Sequence, residues 1–181
     1  YKEFLGEVRL DAALRRSTVS TDDIAYFAPR LRDWHVVFSD LDTEVAGVVS
    51  DFQGTIRSLR IGDGTTLTAE ATVQGLPDIR RTRFDVSLSS LRTSARAVDA
   101  LSRSVRSKAL PAQTLDILDR AGSIDLRATF HGLLSSFSLQ AKAATRAGDI
   151  SWHMKFSPLK DGLHGVCGEL RSRDLRLGYL L

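Results

Sequence analysis

Hydrophobic and polar residues alternate with a period of two along most of the chain, the pattern of strands that keep one face dry and the other wet. Phe84, Val86 and Leu88 alternate with Asp85, Ser87 and Ser89, while Leu67, Ala69, Ala71 and Val73 alternate with Thr68, Glu70, Thr72 and Gln74. Ile124, Leu126, Ala128 and Phe130 form a third row, and Ile150, Trp152, Met154 and Phe156 a fourth. Between the rows stand residues suited to short antiparallel connections: Gly62-Asp63-Gly64, Leu76-Pro77-Asp78, Ala147-Gly148-Asp149 and Lys160-Asp161-Gly162. Strands joined in this way make a meander, so the pattern predicts a mainly β fold built on an antiparallel sheet.

Helical signals are short. Ser20-Thr21-Asp22-Asp23 supplies a cap and acidic first-turn residues ahead of Ile24, Ala25, Tyr26 and Phe27, and Pro29 marks the end. Ala95 to Arg106 sets Ala95, Val98, Leu101 and Val105 near one face, and Pro111 opens a second helix, Ala112 to Arg120, closed by Gly122. These read as short crossover helices, not as a helical domain. The stretch Phe52 to Ile61 is similar to Phe130 to Leu139, with Phe, Gly and Ser in register. A strand followed by a short helical motif recurs three times, beginning at Val8, Phe84 and Val166. Such recurrence suggests a stacked unit in which each repeat adds strands to one continuous sheet. Residues 1–181 are therefore expected to form one segment of a longer repeat-like β domain, with sub-repeats 8–101 and 102–181.

Composition narrows the function classes. With 181 residues, 43% hydrophobic and 26% charged, the chain has material for a core, which excludes disorder. A formal net charge of +3 is too small to demand a nucleic-acid partner. The single cysteine, Cys167, has no internal disulfide partner, and His35, His131, His153 and His164 lack the spacing of a zinc site, so no metal is expected. No run reaches the ~18 apolar residues of a spanning helix, and the opening YKEFLGEVRL lacks a signal-peptide pattern, so a soluble piece is expected. The chain opens mid-pattern and stops on the apolar stretch Leu177 to Leu181, which reads as a cut through a longer protein.

Each candidate for catalysis has a simpler structural reading. Asp22 and Asp23 suit a helix start. Cys167, between Val166 and Gly168, has nothing nearby in sequence to stabilise a thiolate and reads as a buried, inert thiol. Gly62-Asp63-Gly64 is too short for a phosphate loop and has no Lys-Ser/Thr after it. His153 points away from the face of Trp152 and Met154 by strand alternation. No catalytic residue and no cofactor are expected, and the chain is read as a non-enzyme.

Two features point to binding instead. Basic residues crowd the segment from Ile79 to Lys108, where clustered Lys and Arg gain roughly 1 kcal/mol each beside an anionic membrane surface. Arg80, Arg81, Arg83, Arg92 and Arg96 are candidates for a basic rim. No aromatic residue is interleaved from Arg92 to Lys108 to stack on bases, so nucleic acid is not expected. The apolar rows would need a second apolar layer to make a sandwich, and the helices are too short to supply one. If the sheet instead curves into an open trough, Phe84, Val86, Leu88, Phe130, Trp152, Met154 and Phe156 line a dry groove. Such a groove exceeds the few hundred Å² that a monomer normally exposes and suits acyl chains.

Gly75-Leu76-Pro77-Asp78-Ile79 followed by Phe84 to Ser94 is the most specific part of a wider likeness. It also takes in Asp23 to Pro29, Phe52-Gln53-Gly54-Thr55-Ile56, Leu67-Thr68-Ala69 and Leu118 to Gly132. Through these stretches the chain from Val8 to Leu181 resembles the large TamB and AsmA-like proteins of Gram-negative bacteria, above all the TamB-like forms of Bacteroidetes. The resemblance implies a periplasmic protein anchored in the inner membrane by a helix outside this segment. It further implies a long β-sheet folded into a hydrophobic trough, a β-taco, that moves phospholipid toward the outer membrane and works with an outer-membrane barrel protein. It brings no catalytic signature and no ligand motif, so only the apolar rows are carried over. The expected function is a segment of a periplasmic lipid-transfer bridge; the alternative is an assembly module that acts through its strand edges.

Overall fold

The computed structural model describes residues 8–25, 32–106, 109–158, 164–176 and 178. Along the chain run β1 (Arg9–Ser20), α1 (Thr21–Ile24), β2 (Val37–Val48), β3 (Asp51–Ile61), β4 (Thr65–Gln74) and β5 (Arg83–Thr93). Two helices follow, α2 (Ala95–Arg106) and α3 (Ala112–Ala121), then β6 (Ile124–Leu133), β7 (Ser136–Thr145), β8 (Gly148–Pro158) and β9 (His164–Arg173). The nine strands form one sheet whose spatial order repeats the sequence order, every neighbouring pair antiparallel. The sheet is open and uncurled, with β1 and β9 as its edges. This is the mainly β, antiparallel architecture with few short helices that the alternation predicts.

Register gathers the apolar residues. One row runs Val73, Phe84, Gly132, Phe137, Phe156, Val166 and the next runs Ala71, Val86, Phe130, Leu139, Met154, Gly168. A third runs Ala69, Leu88, Ala128, Ala141, Trp152, Leu170. Because side chains alternate along each strand, these rows share one face. The residues between them, such as Glu70, Ser87, Thr129, Gln140, His153 and Glu169, share the other.

Alternation is interrupted in the first half of the sheet. Register shifts fall between Leu14 and Ser17 in β1, Ser39 and Asp42 in β2, Ile56 and Leu59 in β3, and Leu88 and Leu91 in β5. Each inserts an extra residue that bends the strand and raises its local twist. Arg16 and Asp40, at two of these sites, take positive φ of 46° and 50°.

Two tight hairpins share a device. Gly47 and Gly132 precede the turns at Val49-Ser50 and Leu134-Ser135 with φ of +137° and +132°. A Cβ on Gly47 would stand 2.7 Å from the Phe52 Cα, and one on Gly132 would stand 2.9 Å from the Phe137 Cα. Only glycine fits where the partner strand comes this close. The similarity of Phe52–Ile61 to Phe130–Leu139 joins unlike places: the first lies wholly within β3, while the second turns the corner at Leu134-Ser135.

Helix α1 is a single turn closed by a capping box. The Asp23 N–H donates to the Ser20 hydroxyl at 3.1 Å, and the Ser20 N–H donates to the Asp23 carboxylate at 3.1 Å. Tyr26, Phe27 and Pro29, expected to finish this helix, lie outside the described residues. Helices α2 and α3 join β5 to its neighbour β6, so they are an excursion at one end of the sheet and carry the chain across nothing. Asp99 ties the excursion together by accepting from the Leu110 N–H at 2.8 Å and pairing with Arg103 at 2.5 Å. The buried apolar residues, among them Leu59, Ala69, Val73, Ala95, Ala121 and Ala141, are small or mid-sized, and none is aromatic among the described residues.

Candidate functional site

All seven apolar candidates lie on the same face. Phe84, Val86 and Leu88 come from β5, Phe130 from β6, and Trp152, Met154 and Phe156 from β8, and each is half-buried by its neighbours in the plane. Strand β7 fills the gap between β6 and β8 with Phe137 and Leu139, which the sequence reading did not include. Their signal was present in the alternation of Phe137 and Leu139 with Ser136, Ser138 and Gln140. Phe137 sits between two rings, its centroid 4.8 Å from that of Phe130 and 5.2 Å from that of Phe156, stacked on both. Toward the β9 edge the face opens further, with Val166 and Leu170 63% and 70% exposed. No second sheet lies over these rows among the described residues. The result is a broad apolar surface and not the wall of a rolled groove.

The basic candidates separate. Arg80 and Arg81 lie in the β4–β5 connection and Arg83 opens β5, whereas Arg92 is near the far end of β5 and Arg96 is in α2. At ~3.3 Å per residue, β5 sets the two groups roughly 30 Å apart. Arg92 is also committed to Asp125 at 2.9 Å. A run that is continuous in sequence thus becomes two small groups at opposite ends of the sheet.

Among the described residues three hollows lie on the polar face, and a smaller one of about 320 Å³ lies beside α2 and α3, bordered by Arg96, Asp119 and Arg146. One of about 620 Å³ lies over β5–β9 and a second of about 640 Å³ adjoins it over β6–β9, both bordered by Arg127, Lys142, Ser151 and Arg171. A third of about 430 Å³ lies over β3–β6. Elsewhere on this face charges are matched at close range. Arg15 pairs with Asp42 at 2.6 Å and with Glu44, and Arg57 pairs with Glu44 at 2.5 Å and with Asp42 at 3.5 Å. Hydrogen bonds from Arg57 and then Arg15 lower the Glu44 carboxyl from its ordinary 4.5 to about 2. His131 bonds Asp85 across β5 and β6, and Arg171 holds Glu169 two residues away in β9 at 2.7 Å, lowering that carboxyl too.

Cys167 corrects the sequence reading. It is exposed, because it falls on the polar face of β9, opposite in sense to Val166, and β9 is an edge strand with no neighbour on one side. His153 is on the polar face, as alternation requires, and stands opposite Glu169. Among the described residues no three His, Cys, Asp or Glu side chains converge as a metal site would need. No helix among them is long and apolar enough to cross a membrane. No family model, curated protein or solved structure matches the chain.

Proposed function

We propose that this segment holds phospholipid acyl chains against its apolar face, as one stretch of a periplasmic bridge between inner and outer membranes. The observation that carries the reading is the uncovered ladder Phe130, Phe137 and Phe156, flanked by Val86, Leu88, Met154 and Trp152 on the same face. Rows that cross six strands, β4 to β9, at ~4.8 Å per strand give an apolar track of roughly 24 Å. Each methylene taken from water contributes about 0.8 kcal/mol, and a track without polar interruption lets a chain shift along it while staying largely dry. The headgroup stays in solvent. Nothing in this scheme supplies direction, so transfer along the face is passive. The resemblance to TamB and AsmA-like proteins supports the membrane context and the larger bridge.

The test is native mass spectrometry of protein purified without detergent, joined to uptake of a fluorescent phospholipid. Co-purified phospholipid and saturable uptake are expected. Leu170→Asp, at an exposed position, is expected to cut uptake while circular dichroism stays unchanged. Protein that carries no lipid and takes up none overturns the reading.

A second reading rests on the free edges of β1 and β9, which offer unpaired backbone groups for strand addition to a client or barrel protein. Crosslinks from β9 to an outer-membrane barrel, with lipid uptake absent, would select it.

A further inference from the structure

We infer that the polar face carries a binding site for a phosphate-bearing ligand, centred on Arg127 and Lys142. These residues stand directly opposite each other on β6 and β7. The same cross-strand row continues through Ser151 to Arg171. Two like charges in directly opposed positions, their Cβ atoms about 5 Å apart, destabilise a sheet. Several cations on this face are matched: Arg15 and Arg57 by Asp42 and Glu44, Arg92 by Asp125, and Arg171 by Glu169. Arg127 and Lys142 make no ion pair among the described residues. The acid nearest to Arg127 on its own strand, Asp125, is engaged by Arg92 at 2.9 Å.

Cations on a sheet often guard an edge against aggregation. Strands β6 and β7 are interior, so that purpose does not account for this pair. What the pair does border is a hollow of about 620 Å³ also lined by Ser87, Ser89, Thr129 and Gln140, with Glu169, paired to Arg171, at its β9 side. Hydroxyl and amide donors around an Arg fork and a Lys point charge are what phosphate oxygens require. Arg171 lies two strands beyond Lys142 and is held by Glu169 at 2.7 Å, so the unmatched charge of the hollow rests on Arg127 and Lys142. The acyl-chain surface proposed above is on the opposite face, so one lipid bound there by its chains does not place its headgroup here.

Titration calorimetry with sodium tripolyphosphate at low ionic strength tests the site, using the wild type, Arg127→Thr and Lys142→Thr. Saturable binding that weakens with added salt is expected in the wild type, with about a tenfold loss in each variant. Without ligand both variants should unfold at a higher temperature than the wild type, because threonine favours a strand and the repulsion is gone. Vesicles of phosphatidylglycerol, compared with phosphatidylcholine, separate a lipid surface from a free phosphate as the source. Sedimentation with phosphatidylglycerol vesicles that both variants abolish assigns the lipid surface; tripolyphosphate binding alone assigns a soluble ligand. Absence of both, or tripolyphosphate binding that both variants leave unchanged, overturns the inference.

Discussion

Phe137 leans on Phe130 across a diagonal of the β6–β7 pair, because the residue directly opposite Phe137 is Gly132. Phe130 itself faces Leu139, two positions along. With no side chain at Gly132, the ring of Phe137 has space to reach its diagonal neighbour, a separation that aromatic side chains bridge readily. The glycine therefore serves the apolar face as well as the turn.

Gly132→Ala is expected to destabilise the protein by more than about 1 kcal/mol, since alanine is disfavoured at positive φ and its Cβ meets the Phe137 backbone. Gly54→Ala is the control. Its nearest atoms stand 3.9 Å away, so the substitution should stabilise by about 0.5 kcal/mol through the unfolded chain. Urea midpoints of the two variants check the contrast, and equal effects would remove the steric argument.

Phe137→Ala should cost about 2 kcal/mol, from two lost ring contacts and the half-buried area around them. Phe137→Leu keeps most of the apolar volume and should cost less than half as much. Denaturant unfolding measures both. A Phe137→Ala variant as stable as the wild type would mean that the ladder contributes nothing to the fold.

Glu44 predicts an acid-range effect. Its carboxyl is lowered from 4.5 to about 2 by Arg57 and then Arg15, so the folded state favours the ionised form. A group shifted downward stabilises above its unfolded value and loses that contribution as pH falls through the folded one. The stability gap between wild type and Glu44→Gln should therefore be full above pH 4.5 and close between about 4.5 and about 2. Because the cluster is exposed, added salt should shrink the gap at neutral pH. A gap constant from pH 6 to pH 2 would contradict the assignment.

Cys167 should react with a maleimide in the native protein about as fast as a free thiol, given its exposed place on the β9 edge. Mass spectrometry of native and unfolded samples gives the comparison, and protection until unfolding would contradict this placement.

Residues whose partners lie within one strand were the readable ones. The rows Leu67–Val73, Phe84–Leu88, Ile124–Phe130 and Ile150–Phe156 keep a clean period of two and became β4, β5, β6 and β8 on a shared face. Strand β2 has no clean period of two in the sequence because the extra residue near Asp40, at φ 50°, shifts the spacing between Phe38 and Leu41. Cys167 is exposed although its neighbour Val166 is apolar, because an apolar neighbour says nothing about the opposite face or about an edge. The arginines from Arg80 to Arg96 looked like a patch because sequence proximity hides the length of the strand between them. The Arg127–Lys142 pairing depends on register across a hairpin, and the two are equidistant from the Leu134-Ser135 turn. That relation depends on where the turn falls, which alternation alone does not fix.

Each strand bonds only to the strands just before and after it in the chain. An architecture of this kind is extensible: a hairpin gained or lost at either margin changes the span by about 4.8 Å per strand and leaves every remaining pairing where it was. Reach thus becomes a quantity that evolution or an engineer adjusts by counting strands, with no rethreading of what is already built.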